Sequence, residues 1–420
     1  MLALWAGSYG AAAAAFILTI ILARSISPAE LGFYFSVIAI LNVLTQIVVF
    51  GLPAYFLKVF VEEGYEARRW LKPSIPLMFS GILVSFIIYG LYSIAAYSSE
   101  ISHFFIASIL MLPYMFGQVV NELSICKLQL EGNFRKVALI QMVPHFCRFV
   151  FISLALYFLG DGSITGVCFG VALGGLISVV ITVKDAKKLI NGEINLSNSS
   201  SKSIDPIGDI SVRTLISGSQ GYFSNAILFI LYSQINLILI NTISTSSQAG
   251  IYGMAFSILL MFYLAPTVLF QKYLMPKYHY WMSEKSNQMN KLHTYSGLMM
   301  LSVGTLLSVF LIFFSSTPLF LLFGPIIGEV YPILAVISLG IPFRYLATSS
   351  GAVLNTKSYI NEKIKLMLLA TSLAILLGSA LIYFYGAMGA AFCSVIVDCF
   401  LAGSYFYKAK KILNSEYRYE

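Results

Sequence analysis

Three ionisable residues stand in stretches that are otherwise apolar: Arg148 in HFCRFVF, Arg344 in IPFRYLA and Asp398 in IVDCF. A charge in such surroundings is costly unless it is paired or faces water, so each marks an ion pair or a functional site. Arginine presents a planar fork of donors that matches phosphate or carboxylate. Two arginines against one aspartate therefore point to an anion as cargo, and disfavour a cation. His145, three residues before Arg148, can share its helical face. Asp398 has two readings, as the partner of Arg344 in a structural pair or as a group that takes up a coupling ion.

The elements that hold these residues are membrane helices. Hydrophobic residues make up 58% of the 420 positions and charged residues 10%, with a mean hydropathy of +0.84. Soluble domains are roughly 45–50% apolar and about 25% charged, and a soluble core cannot absorb that excess. Long near-uncharged runs give about twelve spans of ~20 residues. They cover approximately 2–23, 32–52, 73–97, 102–125, 137–158, 163–183, 213–241, 248–270, 296–322, 329–350, 364–385 and 388–407. At about 1.5 Å per residue, Arg148 lies ~18 Å from Lys136, Arg344 ~16 Å from Asn355 and Asp398 ~15 Å from Lys408. In a hydrocarbon layer about 30 Å thick, all three fall near the midplane.

Four further residues are candidates of lower depth or charge. Glu122 lies about a turn from Lys127 and reads as an interface acid in preference to a proton carrier. Arg24, at the mouth of the first helix, is either a flanking residue or a contact for a departing anion. Gln234 and Asn236, in YSQINLIL, either line a cavity or join helices by hydrogen bonds.

The net charge of +8 does not signal nucleic acid, because the basic residues sit in short loops between apolar runs. Loops after even-numbered spans and the C-terminal tail carry nearly all of them, from Lys58, Arg68 and Arg69 to Lys408, Lys410 and Lys411. Loops after odd-numbered spans carry Arg24 and the acids Glu30, Glu100, Asp161 and Glu329. The positive-inside bias then places both termini in the cytoplasm. The first apolar run, Leu2 to Ala23, has no basic lead and is long enough to span, unlike a cleavable signal.

The chain repeats itself. LARSISPAELGFY (Leu22–Tyr34) returns as LINTISTSSQAGIY (Leu239–Tyr252), with Gly32 and Tyr34 matching Gly250 and Tyr252. LEGNFRK (Leu130–Lys136) has a counterpart in LNTKSYINEK (Leu354–Lys363), and YFLGDGSITGVC in YFYGAMGAAFC, where Tyr157 and Gly160 match Tyr383 and Gly386. An even number of spans per repeat relates the halves by an axis along the membrane normal. The expected division is a six-helix lobe over 1–184, a cytoplasmic linker over 185–211 with a flexible SNSSSKS core, and a second six-helix lobe over 212–420. Tyr55–Trp70 and its counterpart Gln271–Trp281 mix aromatics with charge and are expected to lie along the interface. Tyr89, Tyr97, Tyr157, Tyr383 and Tyr405 fall near span ends and read as interface anchors. The five cysteines form no CxxC pair and read as packing residues. No Walker loop, HExxH or GxSxG occurs, and no outer loop is long enough for a catalytic domain, which disfavours an enzyme and any bound cofactor.

Ala23, Arg24, Pro28, Gly32 and Tyr34 fit the ARxLxPxxFGxY-like first hairpin of polysaccharide flippases of the multidrug/oligosaccharidyl-lipid/polysaccharide superfamily. LQLEGNFRK resembles the LQGxxRFR-type turn after helix 4, interrupted by Glu131. YFYGAMGAAFCSVI is similar to the late G-x-x-GAA hairpin through Gly386, Gly389, Ala390 and Ala391. The resemblance implies a translocase of undecaprenyl-diphosphate-linked oligosaccharides such as O-antigen units in a bacterial inner membrane. It implies two lobes in a V around a cationic cavity, as in multidrug exporters of the superfamily. It also implies the bilayer, a coupling proton or sodium ion and polysaccharide polymerase machinery as partners, and no nucleic acid. Where family members often carry an Asp in helix 7, this chain has Gln234 and Asn236. The rivals are a cation-coupled drug exporter and a membrane-embedded polymerase or ligase.

Overall fold

The computed structural model describes residues 2–97, 103–159, 164–196, 210–267, 269–270, 288–355 and 359–416. Helices α1 (Leu2–Ser25), α2 (Pro28–Val49), α3 (Leu52–Glu63) and α4 (Ser74–Tyr97) are followed by α5 (His103–Leu110), α6 (Leu112–Leu130), α7 (Phe134–Ile140) and α8 (Val143–Leu159). Then come α9 (Ile164–Ile190), α10 (Val212–Ile243), α11 (Ser246–Thr267), α12 (Gln288–Phe314) and α13 (Ser316–Phe323). The last are α14 (Ile327–Ser338), α15 (Ile341–Leu354) and α16 (Ile360–Glu416). The described residues are helical, without a strand, and eleven helical segments among them are long and apolar enough to cross a membrane. The last of these is bent at Gly386 (φ 56°, ψ −133°) and holds both of the final expected spans.

Three of the expected spans are broken by proline. The 102–125 span divides at Met111 ahead of Pro113, the 137–158 span at Gln141–Met142 ahead of Pro144, and the 329–350 span at Leu339–Gly340 ahead of Pro342. Proline fits the first turn of a helix but cannot sit in its interior without losing a hydrogen bond and clashing with the preceding turn. An apolar proline leaves hydropathy unchanged, so the runs read as continuous. Residues 316–322 also leave the span assigned to them and form α13, after a bend at Ser315 where the side chain bonds back to the Leu311 carbonyl (2.5 Å).

The chain forms two compact units. The first comprises Met1–Leu18 and Val37–Leu231, the second Thr19–Ser36 and Tyr232–Glu420, so α1, α2 and α10 contribute to both. In the first unit, α9 is the spine. A methyl group built on Gly170 would lie 2.6 Å from Ile152 Cα, and one on Gly174 would lie 3.0 Å from Arg148 Cα, so α8 packs backbone to backbone against it. Gly175 does the same for Pro113 and Tyr114 of α6, at 2.6 Å. Small residues at four-residue spacing permit this closeness, which supplies dispersion contacts that lipid cannot match. The stretch expected along the interface forms α3 followed by a 3-10 turn over Gly64–Trp70. It buries Tyr55, Phe56, Val59, Phe60 and Trp70 against Leu123, Cys126, Leu130, Leu189 and Leu215. Its expected counterpart, Gln271–Trp281, and the SNSSSKS core lie outside the described residues.

In the second unit, the repeated loops meet each other. Ser27 and Glu30 form a capping box that starts α2, with Ser27 N–H donating to Glu30 Oε2 (2.9 Å) and Glu30 N–H to Ser27 Oγ (3.3 Å). That α2 start packs on the α11 start through Gly32 and Gly250. Gln248, from the second copy, accepts from the Ala387 N–H (2.8 Å) and so satisfies the backbone where Gly386 bends α16.

A buried charge cluster as candidate functional site

The proline breaks set the arginines at helix starts. Arg344 is the fourth residue of α15 and Arg148 the sixth of α8. Helical side chains lean towards the N-terminus, so both guanidinium groups reach back towards a break. Each break rests on glycine of a neighbouring helix. A methyl on Gly304 of α12 would lie 2.7 Å from Pro342 Cα, and one on Gly10 of α1 would meet Met142.

In the second unit, Arg344 Nη1 lies 3.3 Å from Asp398 Oδ1 of α16, with Asp398 buried and Arg344 half-buried. The guanidinium lies over the Tyr232 ring of α10 at 4.5 Å and the Tyr263 ring of α11 at 5.3 Å. The Tyr232 hydroxyl donates to the same Asp398 oxygen. Gly340 makes room for the carboxylate, because a methyl there would stand 3.0 Å from Asp398 Oδ2. The aspartate thus holds the cation from one side, while two aromatic faces hold it from others by cation–π attraction. Arg344 and Asp398 are thus within ion-pair distance of each other.

Asn236 sits one helical turn along α10 from Tyr232. Its Nδ2 donates to Ser394 Oγ (2.8 Å) and Tyr252 OH (3.4 Å), and Tyr252 OH and Ser394 Oγ are 2.8 Å apart. Asn236 both joins α10, α11 and α16 and lines a cavity with Tyr232, Tyr252, Tyr263, Arg344 and Asp398. That cavity holds about 30 Å³, room for a water or two and far below the ~300–1,000 Å³ of small-molecule pockets. Gln234, half-buried on α10, is not among the lining residues.

In the first unit, the hub is Tyr114. Its hydroxyl accepts from Gln118 Nε2 (2.8 Å) and Arg148 Nη1 (3.4 Å) and donates to Asn42 Oδ1 (3.2 Å). Arg148, 7% exposed, also lies 5.4 Å from the centre of that ring. The Gly174–Gly175 pair of α9 draws α8 and α6 close enough for this contact. His145 is half-buried on the turn before, with its Nδ1 atom shielded from solvent.

The remaining candidates lie apart from these clusters. Arg24 is exposed, and its Nε and Nη2 donate to the carbonyls of Leu322 (2.7 Å) and Leu321 (2.5 Å) at the end of α13. Glu122 is half-buried in α6, and Lys127 turns instead to Glu131 and Asp185, at 2.9 Å each. Tyr157 and Tyr383 are exposed, at 80% and 73%. Tyr89, Tyr97 and Tyr405 are buried instead, and Tyr89 donates to the Ser108 carbonyl (2.7 Å). All five cysteines are free.

Tyr232, Tyr263, Ser394 and Tyr114 went unrecognised in the sequence, and Tyr252 stood out only for its place in the repeat. The one signal was the polar run YSQIN, which holds Tyr232 beside Asn236.

The fold is shared with known transporters. The chain is similar to a structure titled lipid II flippase MurJ in an inward closed conformation, with a TM-score of 0.68 and 16% identity, covering 99% of this chain and 90% of that one. It is also similar to an inward-facing multidrug resistance transporter of the MATE family and MOP superfamily, with a TM-score of 0.64 and 14% identity over 98% and 95% of the two chains. A third likeness is to a MOP superfamily transporter from Pyrococcus furiosus, titled for the reversed polarity of its binding pocket, with a TM-score of 0.58 and 14% identity over 99% and 95%. No curated protein matches the chain. The family profile described as "Polysaccharide biosynthesis protein" matches residues 1–277, and the chain belongs to that family.

Proposed function

We propose that this chain moves polyprenyl-diphosphate-linked oligosaccharide units, such as O-antigen repeat units, across a bacterial inner membrane by alternating access. The observation that carries the reading is Arg344, a half-buried guanidinium set over two tyrosine faces and paired with Asp398. A diphosphate crossing hydrocarbon needs fixed positive charge in place of water. The diphosphate takes the place of Asp398 at Arg344, and Arg148 offers a contact of its own to the cargo on its route. Asp398 neutralises Arg344 while no cargo is bound. The small cavity beside them opens as that exchange occurs, and Asn236 and Ser394 then offer hydrogen bonds to the cargo. Both termini lie in the cytoplasm, with lobes 1–184 and 212–420 joined through 185–211.

Arg148 and Arg344 against Asp398, with Arg148 and Asp398 buried and Arg344 half-buried, argue against an exporter of cationic drugs, which needs an acid-lined path. The test is mass spectrometry of lipid-linked sugars from cells lacking the gene, complemented by wild type, Arg148→Ala or Arg344→Ala. Complete repeat units on the inner leaflet, cleared by wild type alone, are the expected result. Equal clearance by all three would remove the arginines from the site. No build-up, with altered drug resistance instead, would favour the exporter.

A further inference from the structure

Helix α6 carries a file of polar side chains on one face. Tyr114, Gln118 and Glu122 follow at four-residue spacing, which stacks them one turn apart. The first two are joined, Gln118 Nε2 donating to the Tyr114 hydroxyl (2.8 Å). Glu122 is half-buried and makes no hydrogen bond or ion pair with any described residue. Lys127 does not serve it, because its ammonium is held by Glu131 and Asp185 at 2.9 Å each. Leu130, where α6 ends, is about 12 Å further along the helix. Helical side chains lean towards the N-terminus, so the Glu122 carboxyl covers the turn that holds Gln118. The charged groups of the elements packed on α6 are occupied elsewhere. On α9, Asp185 holds Lys127, and Lys184 and Lys187 are exposed. On α8, Arg148 lies on Tyr114, with His145 half-buried on the turn before. On α3, Lys58 lies 4.0 Å from Glu62, and Tyr55 packs on Trp70 and on Tyr222 of α10. Arg135 and Lys136 of α7 and Arg213 of α10 are exposed, and Cys126 donates to the Pro53 carbonyl. Helix α4 and the stretch of α2 in this unit carry no charge.

An ionised carboxylate with neither donor nor cation beside it is costly in such surroundings. The arrangement described is therefore that of the neutral acid. We propose that Glu122 is a proton-binding site, and that Gln118 and Tyr114 pass its charge state to Arg148. With the proton bound, Gln118 donates to Tyr114, and Arg148 shares the same oxygen through a long bond of 3.4 Å. When the proton leaves to solvent, the carboxylate takes the Gln118 amide as its donor, a pairing that four-residue spacing on a helix favours. The Tyr114 oxygen then serves Arg148 alone and holds it more tightly. Gln118 is thus a positioning residue, acting on Arg148 through Tyr114. On the flippase reading above, on which this last step rests, proton uptake at Glu122 loosens the hold on Arg148 and favours its contact with an anionic cargo.

The experiment is infrared difference spectroscopy of the full chain in nanodiscs of phosphatidylethanolamine and phosphatidylglycerol, titrated from acid to alkaline buffer. It uses no cargo, so its result is independent of the flippase reading. Wild type is expected to lose a carboxyl carbonyl band at the frequency of a group shielded from water, and Glu122→Gln, which is isosteric, is expected to lack that band. The Tyr114 ring C–O band, assigned by its absence in Tyr114→Phe, is expected to shift with the same midpoint. In Gln118→Leu the carboxyl band stays, but the Tyr114 band no longer follows pH; a Gln118 that only fills space would leave the two bands moving together. A Glu122 band at the frequency of a solvated carboxyl would make it an ordinary interface acid and overturn the proposal. A Tyr114 band that ignores pH in wild type, or follows it equally in Gln118→Leu, would overturn the relay to Arg148.

Discussion

Gly32 and Gly250, equivalent residues of the two repeated loops, pack backbone against backbone. A methyl group built on Gly32 would lie 2.7 Å from the Gly250 amide nitrogen, and one on Gly250 would lie 2.9 Å from that of Gly32. The nearest carbonyls, of Ser246 and Pro28, would be closer still. Each obstacle is main chain and cannot rotate away. Gly32→Ala or Gly250→Ala should therefore force the α2 and α11 starts apart, with overpacking costing about 1–3 kcal/mol or more. The measure is thermal unfolding in detergent. Gly403→Ala, where a methyl meets no atom within 4 Å, is the control and should be neutral or slightly stabilising.

The Arg344–Asp398 pair makes an asymmetric prediction. Removing one member leaves the other charged in a low-dielectric setting, which costs about 3–5 kcal/mol, while replacing both with apolar residues of similar size is often neutral. Arg344→Met and Asp398→Leu should each lower the melting temperature, and the double variant should recover most of it. Clearance of lipid-linked sugars should stay lost in Arg344→Met and in the double variant. If the double variant restores clearance as well as stability, the pair is structural only.

How much of this was legible beforehand differs by residue. The repeat was readable because a glycine forced by close backbone approach must recur wherever the loop recurs, as Gly32 and Gly250 do. Arg148, Arg344 and Asp398 stood out because charge in apolar runs is rare. The breaks at Pro113, Pro144 and Pro342 were hidden, since proline interrupts a helix without altering its hydropathy. The tyrosines were hidden for another reason. A tyrosine suits a membrane interface and a buried hydrogen bond equally well, and only tertiary neighbours decide. Tyr232 meets an aspartate 166 residues away, and Arg24 meets carbonyls some 300 residues away in the chain. No local pattern encodes such partners.

Tyr114 separates ring from hydroxyl. In Tyr114→Phe the aromatic face under Arg148 remains, but Arg148 and Gln118 lose an acceptor and Asn42 loses a donor. Leaving buried polar groups unsatisfied costs about 1–3 kcal/mol. Tyr114→Ala removes the ring as well and should cost about 3–5 kcal/mol. If Arg148 contacts cargo, Tyr114→Phe should also slow clearance by about tenfold, equivalent to ~1.4 kcal/mol at the barrier. A variant with lowered stability and normal clearance would show that Arg148 only supports the packing of α6 on α8.

Arg24 tests whether a side chain from the first repeat keeps α13 folded. An isolated helix of eight residues is marginal in water, and α13 has its last carbonyls held by a cation at the negative end of the helix dipole. Arg24→Ala should release them, lowering local stability by about one to two kcal/mol, a factor of roughly 5–30. Hydrogen exchange of the 319–323 amides should speed up by that factor, while amides in α15 and α16 stay as protected as in wild type. Arg24→Lys keeps the charge but not the fork, and should restore part of the protection. Unchanged exchange in Arg24→Ala would mean that α13 is held by its contacts with α14 alone, and would free Arg24 from a structural duty.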